Sequence, residues 1–342
     1  MVSFEREAAV LLITLVFIVI FIGFTIFVKI FTKRLATGNN PLKKYHRNPG
    51  SVTLSQDEKR ALNIGAVLTE TNHEFYNSLQ ALKHSAVTYQ KVILSEWWGI
   101  SSPEKAEEVL EWLKNKGHRR IFGVILANAS AALEREPSFD DFLEACEQAG
   151  LPVIDERIQK KYQREAGLVE KHLDTLYAIH SKMSDEEIDR LIEKHKEMFH
   201  DGKTFLLCIK IYRTVFEKYS DYVRFTCNLR KSLGKLRNHG FADADVGFYR
   251  INPAAWDMGR LVNVARWCYG CGYIAENKAW EYIFHAEKES ANCYTNWAAF
   301  GNAYVIGRAL CGGENGLLDT SMNIVEGLLN DENSPWRLTP LM

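Results

Sequence analysis

From Ala8 to Val28 the chain reads AAVLLITLVFIVIFIGFTIFV, 21 residues without a charge. As a helix rising 1.5 Å per residue, such a run spans roughly 30 Å, the depth of a bilayer's hydrocarbon core. A cleaved signal peptide would want a basic start, about 7–15 apolar residues and a small-residue cleavage site. Here Glu5 and Glu7 flank Arg6, and the apolar run is too long. A buried core helix would show a polar face, and none interrupts this run. The sequence therefore predicts a single-pass transmembrane helix over residues 8–28, behind a short external amino end, 1–7. Lys29, Lys33, Arg34, Lys43, Lys44 and Arg47 follow the run, whereas Arg6 precedes it. The positive-inside rule then places everything after residue 28 in the cytoplasm.

Charge and cysteine content bound the remainder. Residues 1–50 carry seven Lys/Arg against two Asp/Glu, and the rest of the 342-residue chain has a net charge of −6. A mildly acidic bulk argues against nucleic acid as a partner, because that affinity rests on neutralising phosphates with a basic face. The seven cysteines form no dense framework of the secreted kind, which suits reduced thiols in a cytoplasmic domain. Residues 29–55 read as a basic linker able to rest on anionic lipid heads. Beyond it, 56–340 is long enough for one large domain or two small ones.

That domain reads as all-α. Ser102-Pro103 opens a helix that Gly117 closes, and Ser138 with Asp141 opens another. Ser184 with Glu187 forms a third start signal, and Asn252-Pro253 begins a helix reaching about Tyr269. Further helices fit 276–289, 296–310 and 321–330. Alternating period-two runs closed by hairpin turns are nearly absent.

Asn252 to Gly272, NPAAWDMGRLVNVARWCYGCG, holds the most information. Its helix is apolar nearly all round and so belongs in an interior. Yet Asp257, Arg260, Asn263 and Arg266 recur every third residue along it, and charges at that depth must be paired and hydrogen-bonded. A polar network is expected that joins Asp257 to Arg260 or Arg308, walled by Trp256, Trp280 and Trp297, with Tyr304 on the Arg308 stripe. Two readings of this cluster stay open: a structural ion network, or a pocket whose arginines hold a carboxylate or phosphate.

Other constellations carry less. Cys268 and Cys271 form a CxxC without the βαβ setting of redox enzymes or the second ligand pair of a zinc site, so they read as buried thiols. Asp243 and Asp245 near His239 read as a polar turn. His195 and His200 lie five apart, the wrong spacing for two ligands on one helical face. His118-Arg119-Arg120 decorates a helix start, and Trp97-Trp98-Gly99 looks like a wedge between helices. No nucleophile elbow, phosphate-binding loop, dinucleotide fingerprint or HExxH motif occurs, so no cofactor and no metal is implied and catalysis is left undecided.

The stretches AWDMGRLVNVARWCYGCGYIAENKAWEYI, TNWAAFGNAYVIGRAL and ENSPWRL, with LSEWWGISSPEKAEEVLEWLKNKGHRRIF before them, resemble a bacterial domain-of-unknown-function family, number 1266. The resemblance covers about residues 88–338 and is densest over 250–338. The family's recurrent positions fall on Trp256, Asp257, Arg260, Arg266, Gly272, Tyr273, Trp280, Trp297, Tyr304, Gly307, Arg308 and Ser334-Pro335-Trp336. Ala275 departs from a helix-capping Ser or Thr, and Cys311 from a Trp. The resemblance implies an α-helical bacterial module, which the apolar run 8–28 would anchor at the inner membrane, and it brings no activity with it. Two functions follow as expectations. One is a membrane-tethered interaction or scaffolding module with a protein partner at the cytoplasmic face. The other is an enzyme or ligand sensor that binds a phosphate- or carboxylate-bearing small molecule through the Asp/Arg cluster.

Overall fold

The computed structural model describes residues 44–83, 87–127, 135, 137–148, 202–241 and 251–342. Helices in chain order are α1 Gln56–Asn63, α2 Ala66–Thr71, α3 Val87–Trp98, α4 Pro103–Asn115, α5 Arg119–Ala127, α6 Phe139–Gln148, α7 Gly202–Asn238, α8 Ala254–Gly270, α9 Glu276–Cys293, α10 Trp297–Gly312, α11 Gly316–Asn330 and α12 Pro335–Leu338. No strand occurs among the described residues.

Local chemistry sets several of these starts. Ser102 accepts from Lys105 N–H at 3.3 Å with Pro103 in the first turn, and Ser55 and Glu58 cap each other's backbone at the head of α1. Ser138 and Asp141 form the same reciprocal box. Ala275 heads α9 without a side-chain cap, as its apolar side chain requires. The start signal at Ser184 and Glu187, the His195–His200 pair and the Asp243–Asp245 turn lie outside the described residues.

One expectation is corrected. The single-pass membrane architecture is withdrawn: among the described residues no helix is long and apolar enough to cross a membrane, and the run 8–28 lies outside them. The interior helix α8 shows what apolar sequence does among the described residues. It spans 17 residues and buries Asp257, Arg260 and Arg266, so its apolar surface serves packing against other helices. Over its described end, the segment read as a linker makes specific hydrogen bonds. The Asn77 side chain accepts from Asn48 N–H at 2.7 Å and donates to Asn48 O at 3.2 Å and to Ser51 Oγ at 2.8 Å. Residues 44–51 are thereby a strap with fixed geometry.

Contacts divide the chain into two units. The first takes residues up to Arg119, Asn252–Gly307 and Gly316–Met342; the second takes Arg120–Ile251 and Arg308–Asn315. In the first, α8 is the axis, and α2, α3, α4 and α9 pack on it. Every residue from Ala254 to Cys268 is buried. Gly65 lets α8 approach, since a Cβ there would lie 2.6 Å from Asn263 Nδ2 and 2.8 Å from Val262 Cγ1. The far end is closed by Trp336, which stacks on Trp297 at 4.9 Å and donates to Asn63 O at 2.9 Å, while Asn63 donates to Pro335 O at 2.9 Å. In the second unit, α7 meets α6 through Tyr219 and Tyr222 against Phe142, and its Phe225 meets Phe122 edge-on at 5.1 Å. Asn228 there donates to the carbonyls of Leu310 and Cys311 at 3.0 and 3.3 Å.

The strap also meets a buried acid. Glu70, 8% exposed, accepts from Tyr45 N–H at 3.2 Å. Burial lifts its carboxyl from 4.5 to about 7, against the opposing pull of that N–H and of the Lys44 charge. The folded protein holds this proton where the unfolded chain has lost it. The stabilising contribution is thus complete below pH 4.5 and is lost as pH rises through 7. Glu70→Gln keeps an oxygen for Tyr45 N–H and removes the charge. It should raise unfolding free energy at pH 8 by up to about 3 kcal/mol and change little at pH 4.5, read from denaturant curves at both pH values.

Candidate functional site

The row of polar residues on α8 resolves into two separate nodes. Asp257 forms the first. It is fully buried, and its carboxylate accepts from His118 N–H at 3.1 Å and Arg119 N–H at 2.7 Å, the first amides of α5. It also accepts from Arg260 Nη2, with Arg119 Nη1 at 3.5 Å. A carboxylate at a helix N-terminus satisfies orphan amides and complements the helix dipole. Asp257 thus caps α5 from 138 residues away. Arg119 completes the joint by donating to Leu113 O at 2.7 Å and Lys114 O at 2.5 Å, the last carbonyls of α4.

Arg260 is the other half. It is 7% exposed, its Nε donates to Trp256 O at 3.2 Å, and its guanidinium lies 4.6 Å over the Trp256 ring and 5.7 Å from the Trp98 ring. Its Nη2 also lies 2.9 Å from His118 Nδ1. An arginine has no acceptor to offer, so Nδ1 accepts and the ring proton sits on Nε2. Trp112 meets the same imidazole edge-on at 5.1 Å.

Arg266 builds the second node. It is 1% exposed and donates to Thr69 Oγ1 at 3.0 Å, to Ser78 O at 2.9 Å and to Phe75 O. Glu74 Oε2 lies 3.8 Å away, and Glu74 Oε1 accepts from Trp267 Nε1 at 2.8 Å. Burial draws the guanidinium down to about 10, opposed by Glu74, so it stays charged at neutral pH. Asn263 sits between the nodes, donating to Gly65 O at 2.8 Å and accepting from Thr69 Oγ1 at 3.0 Å.

The expected network therefore forms between Asp257 and Arg260. Arg308 belongs to the second unit, where its Nη2 donates to Asn315 Oδ1 at 3.2 Å. Of the expected walls, Trp256 underlies Arg260 and meets Tyr304 edge-on at 5.2 Å. Trp297 instead faces Trp336 and donates to Thr339 O at 2.9 Å. Trp280 stacks on Phe284 at 5.4 Å, and Phe284 is 38% exposed, because α9 buries its Ala279–Ile283–Ala286–Ser290 stripe. The Trp97-Trp98 wedge is half right: Trp98 packs edge-on against Trp267 at 6.4 Å, whereas Trp97 is 72% exposed.

A pocket for a ligand requires these charges to face solvent. Asp257, Asn263 and Arg266 are at most 1% exposed, and their polar atoms are spent on chain segments far away in sequence. The arrangement can hold helices together and offers no room for a substrate. Cys268 and Cys271 are buried free thiols, and burial pushes Cys271 up to about 11 and Cys268 further, which leaves them protonated. Among the described residues no group of three or more His, Cys, Asp and Glu is placed to hold a metal ion.

Removing either node should be costly in a distinguishable way. Arg266→Ala leaves Glu74 buried beside lost donors and should lower stability by about 3–5 kcal/mol, an unfolding midpoint down by roughly 10 °C; Arg308→Ala should cost less than about 1 kcal/mol. Gly117 and Gly99 separate backbone strain from the clamp. Both have positive φ, +58° and +63°, but a Cβ on Gly117 would overlap the Asp257 carboxylate, whereas one on Gly99 meets nothing within 4 Å. Gly99→Ala should therefore cost about 1–2 kcal/mol, and Gly117→Ala about 2 kcal/mol more, compared by denaturant midpoints.

No curated protein and no solved structure matches the chain. The match to a family model, by contrast, covers residues 93–341 and takes in α8 with the Asp257 node and Arg266, while Arg266's partners Thr69, Glu74, Phe75 and Ser78 precede it. The chain belongs to the family described as protein of unknown function (DUF1266).

Proposed function

We propose that the domain is a protein-interaction or scaffolding module. The observation that carries this reading is Trp97, held 72% exposed at the end of α3. Its neighbour Trp98 is fixed from below by Trp267 and Arg260, so the exposed indole stands on a rigid base. An exposed Trp leaves a large apolar surface in water, and Trp is the residue most enriched among the anchors of protein interfaces. The outward Trp280–Phe284 stack on α9 adds to the support. The six free thiols among the described residues suit a reducing compartment, where such a partner would be met.

The ligand-sensor reading through Asp257, Arg260 and Arg266 finds no support in their burial, and Arg308 lies in the other unit. The test of the interaction reading uses the full chain with a photo-crosslinking residue at exposed position Glu96, Trp97 left intact. A discrete protein adduct is expected in cells, and Trp97→Ala should abolish it with the helical circular dichroism unchanged. Repeated absence of any adduct, or an adduct indifferent to Trp97→Ala, would remove the reading.

A further inference from the structure

We infer that a cavity of about 130 Å³ between the strap, α1 and α12 is a binding site for a phosphate-class oxyanion. Its lining includes Arg47 from the strap, Gln56 and Lys59 from α1, Tyr76, and Thr339 just after α12. No acidic residue lines it. Neither Arg47 nor Lys59 has an ion-pair partner among the described residues, whereas Arg60, next to Lys59 on α1, bonds both Asp57 and Glu287.

The same holds for the uncharged donors. No hydrogen bond from the side chains of Gln56, Tyr76 or Thr339 is made to the described protein, while Asn63 and Asn77, which also line the cavity, spend their amides on Pro335 O, Asn48 and Ser51. Five donor side chains, two of them cationic, converge on one small space that lacks an acceptor of matching charge. The Arg47 guanidinium lies 5.7 Å from the centre of the Tyr76 ring, which leaves its fork available for a bidentate partner. Two cations suit a dianionic phosphate better than a single carboxylate.

The walls are held independently of any ligand. Asn77 fixes the strap, and the reciprocal Asn63–Pro335 and Trp336–Asn63 bonds fix α12 to α1. Preorganised donors bind at lower entropic cost than mobile ones. A volume of 130 Å³ is room for a few waters, on the scale of one tetrahedral oxyanion, so the remainder of a larger ligand would extend outside.

Free phosphates and lipid phosphates share this chemistry, and the test has an arm for each. The full chain is titrated with inorganic phosphate by calorimetry, and in parallel floated with phosphatidylcholine vesicles with and without phosphatidic acid. Wild type should bind in one arm at least, the phosphatidic-acid arm being scored against phosphatidylcholine alone. The Arg47→Gln, Lys59→Gln double variant should weaken that binding about tenfold or more, and added NaCl should weaken it further. Arg47→Lys, which keeps the charge but loses the fork, should fall between. Both side chains reach solvent, so fold is checked by unchanged circular dichroism. No saturable binding in either arm, or equal binding by wild type and double variant, would overturn the assignment. Trp97 is untouched throughout, so this outcome is independent of the interaction module.

Discussion

One fully buried carboxylate organises the axis of the first unit. A carboxylate in an apolar interior must be paired and hydrogen-bonded, and three groups meet that of Asp257: Arg260 on its own helix, and the His118 and Arg119 amides at the start of α5. Because the amides are orphans of a helix start, the same contact satisfies both sides. It also dictates its surroundings. Gly117 must leave space for the carboxylate, Arg119 can then reach the last carbonyls of α4, and Arg260 is held flat against Trp256. Helix end, helix start and central helix are tied at one point.

The second node follows a related logic with different atoms. Arg266 has no good carboxylate contact, since Glu74 stands 3.8 Å off, and it uses backbone carbonyls of the segment after α2 as acceptors. A buried guanidinium that organises a loop by its carbonyls fixes the path of residues that have no helix of their own. This arrangement favours conformational uniqueness over net stability, because the ion's desolvation offsets much of its bonding.

Much of this was legible in the sequence, and the gaps have physical causes. The buried all-round character of α8 predicted its place, and i,i+3 spacing offered Arg260 as one of two partners for Asp257. The capping signals at Ser102 and Ser138 placed two helix starts. What spacing could not reveal was any partner far away along the chain. The amides of His118 and Arg119 look like those of any helix start, and nothing local marks them as ligands of Asp257. Arg308 shows the limit from the other side: its stripe on α10 is real, but spacing could not reveal its bond to Asn315 beyond the helix end. Trp280 was misplaced because an aromatic on an amphipathic helix reads as core until the small residues Ala279 and Ala286 are seen to take that face.

The chain leaves the first unit at Arg119 and returns at Asn252, and both points are anchored there. Arg119 is held by Asp257 and α4, while Asn252 accepts from Tyr294 Oη–H through its backbone carbonyl at 2.6 Å and caps Ala254. The entropy of closing so long an excursion grows only as the logarithm of its length, about 0.6 kcal/mol for a doubling. Once the two anchor points are fixed, a change in the length of the intervening sequence costs the first unit little closure entropy. The first unit is, in that sense, a socket: it asks of the stretch between Arg119 and Asn252 that the two ends meet their anchors.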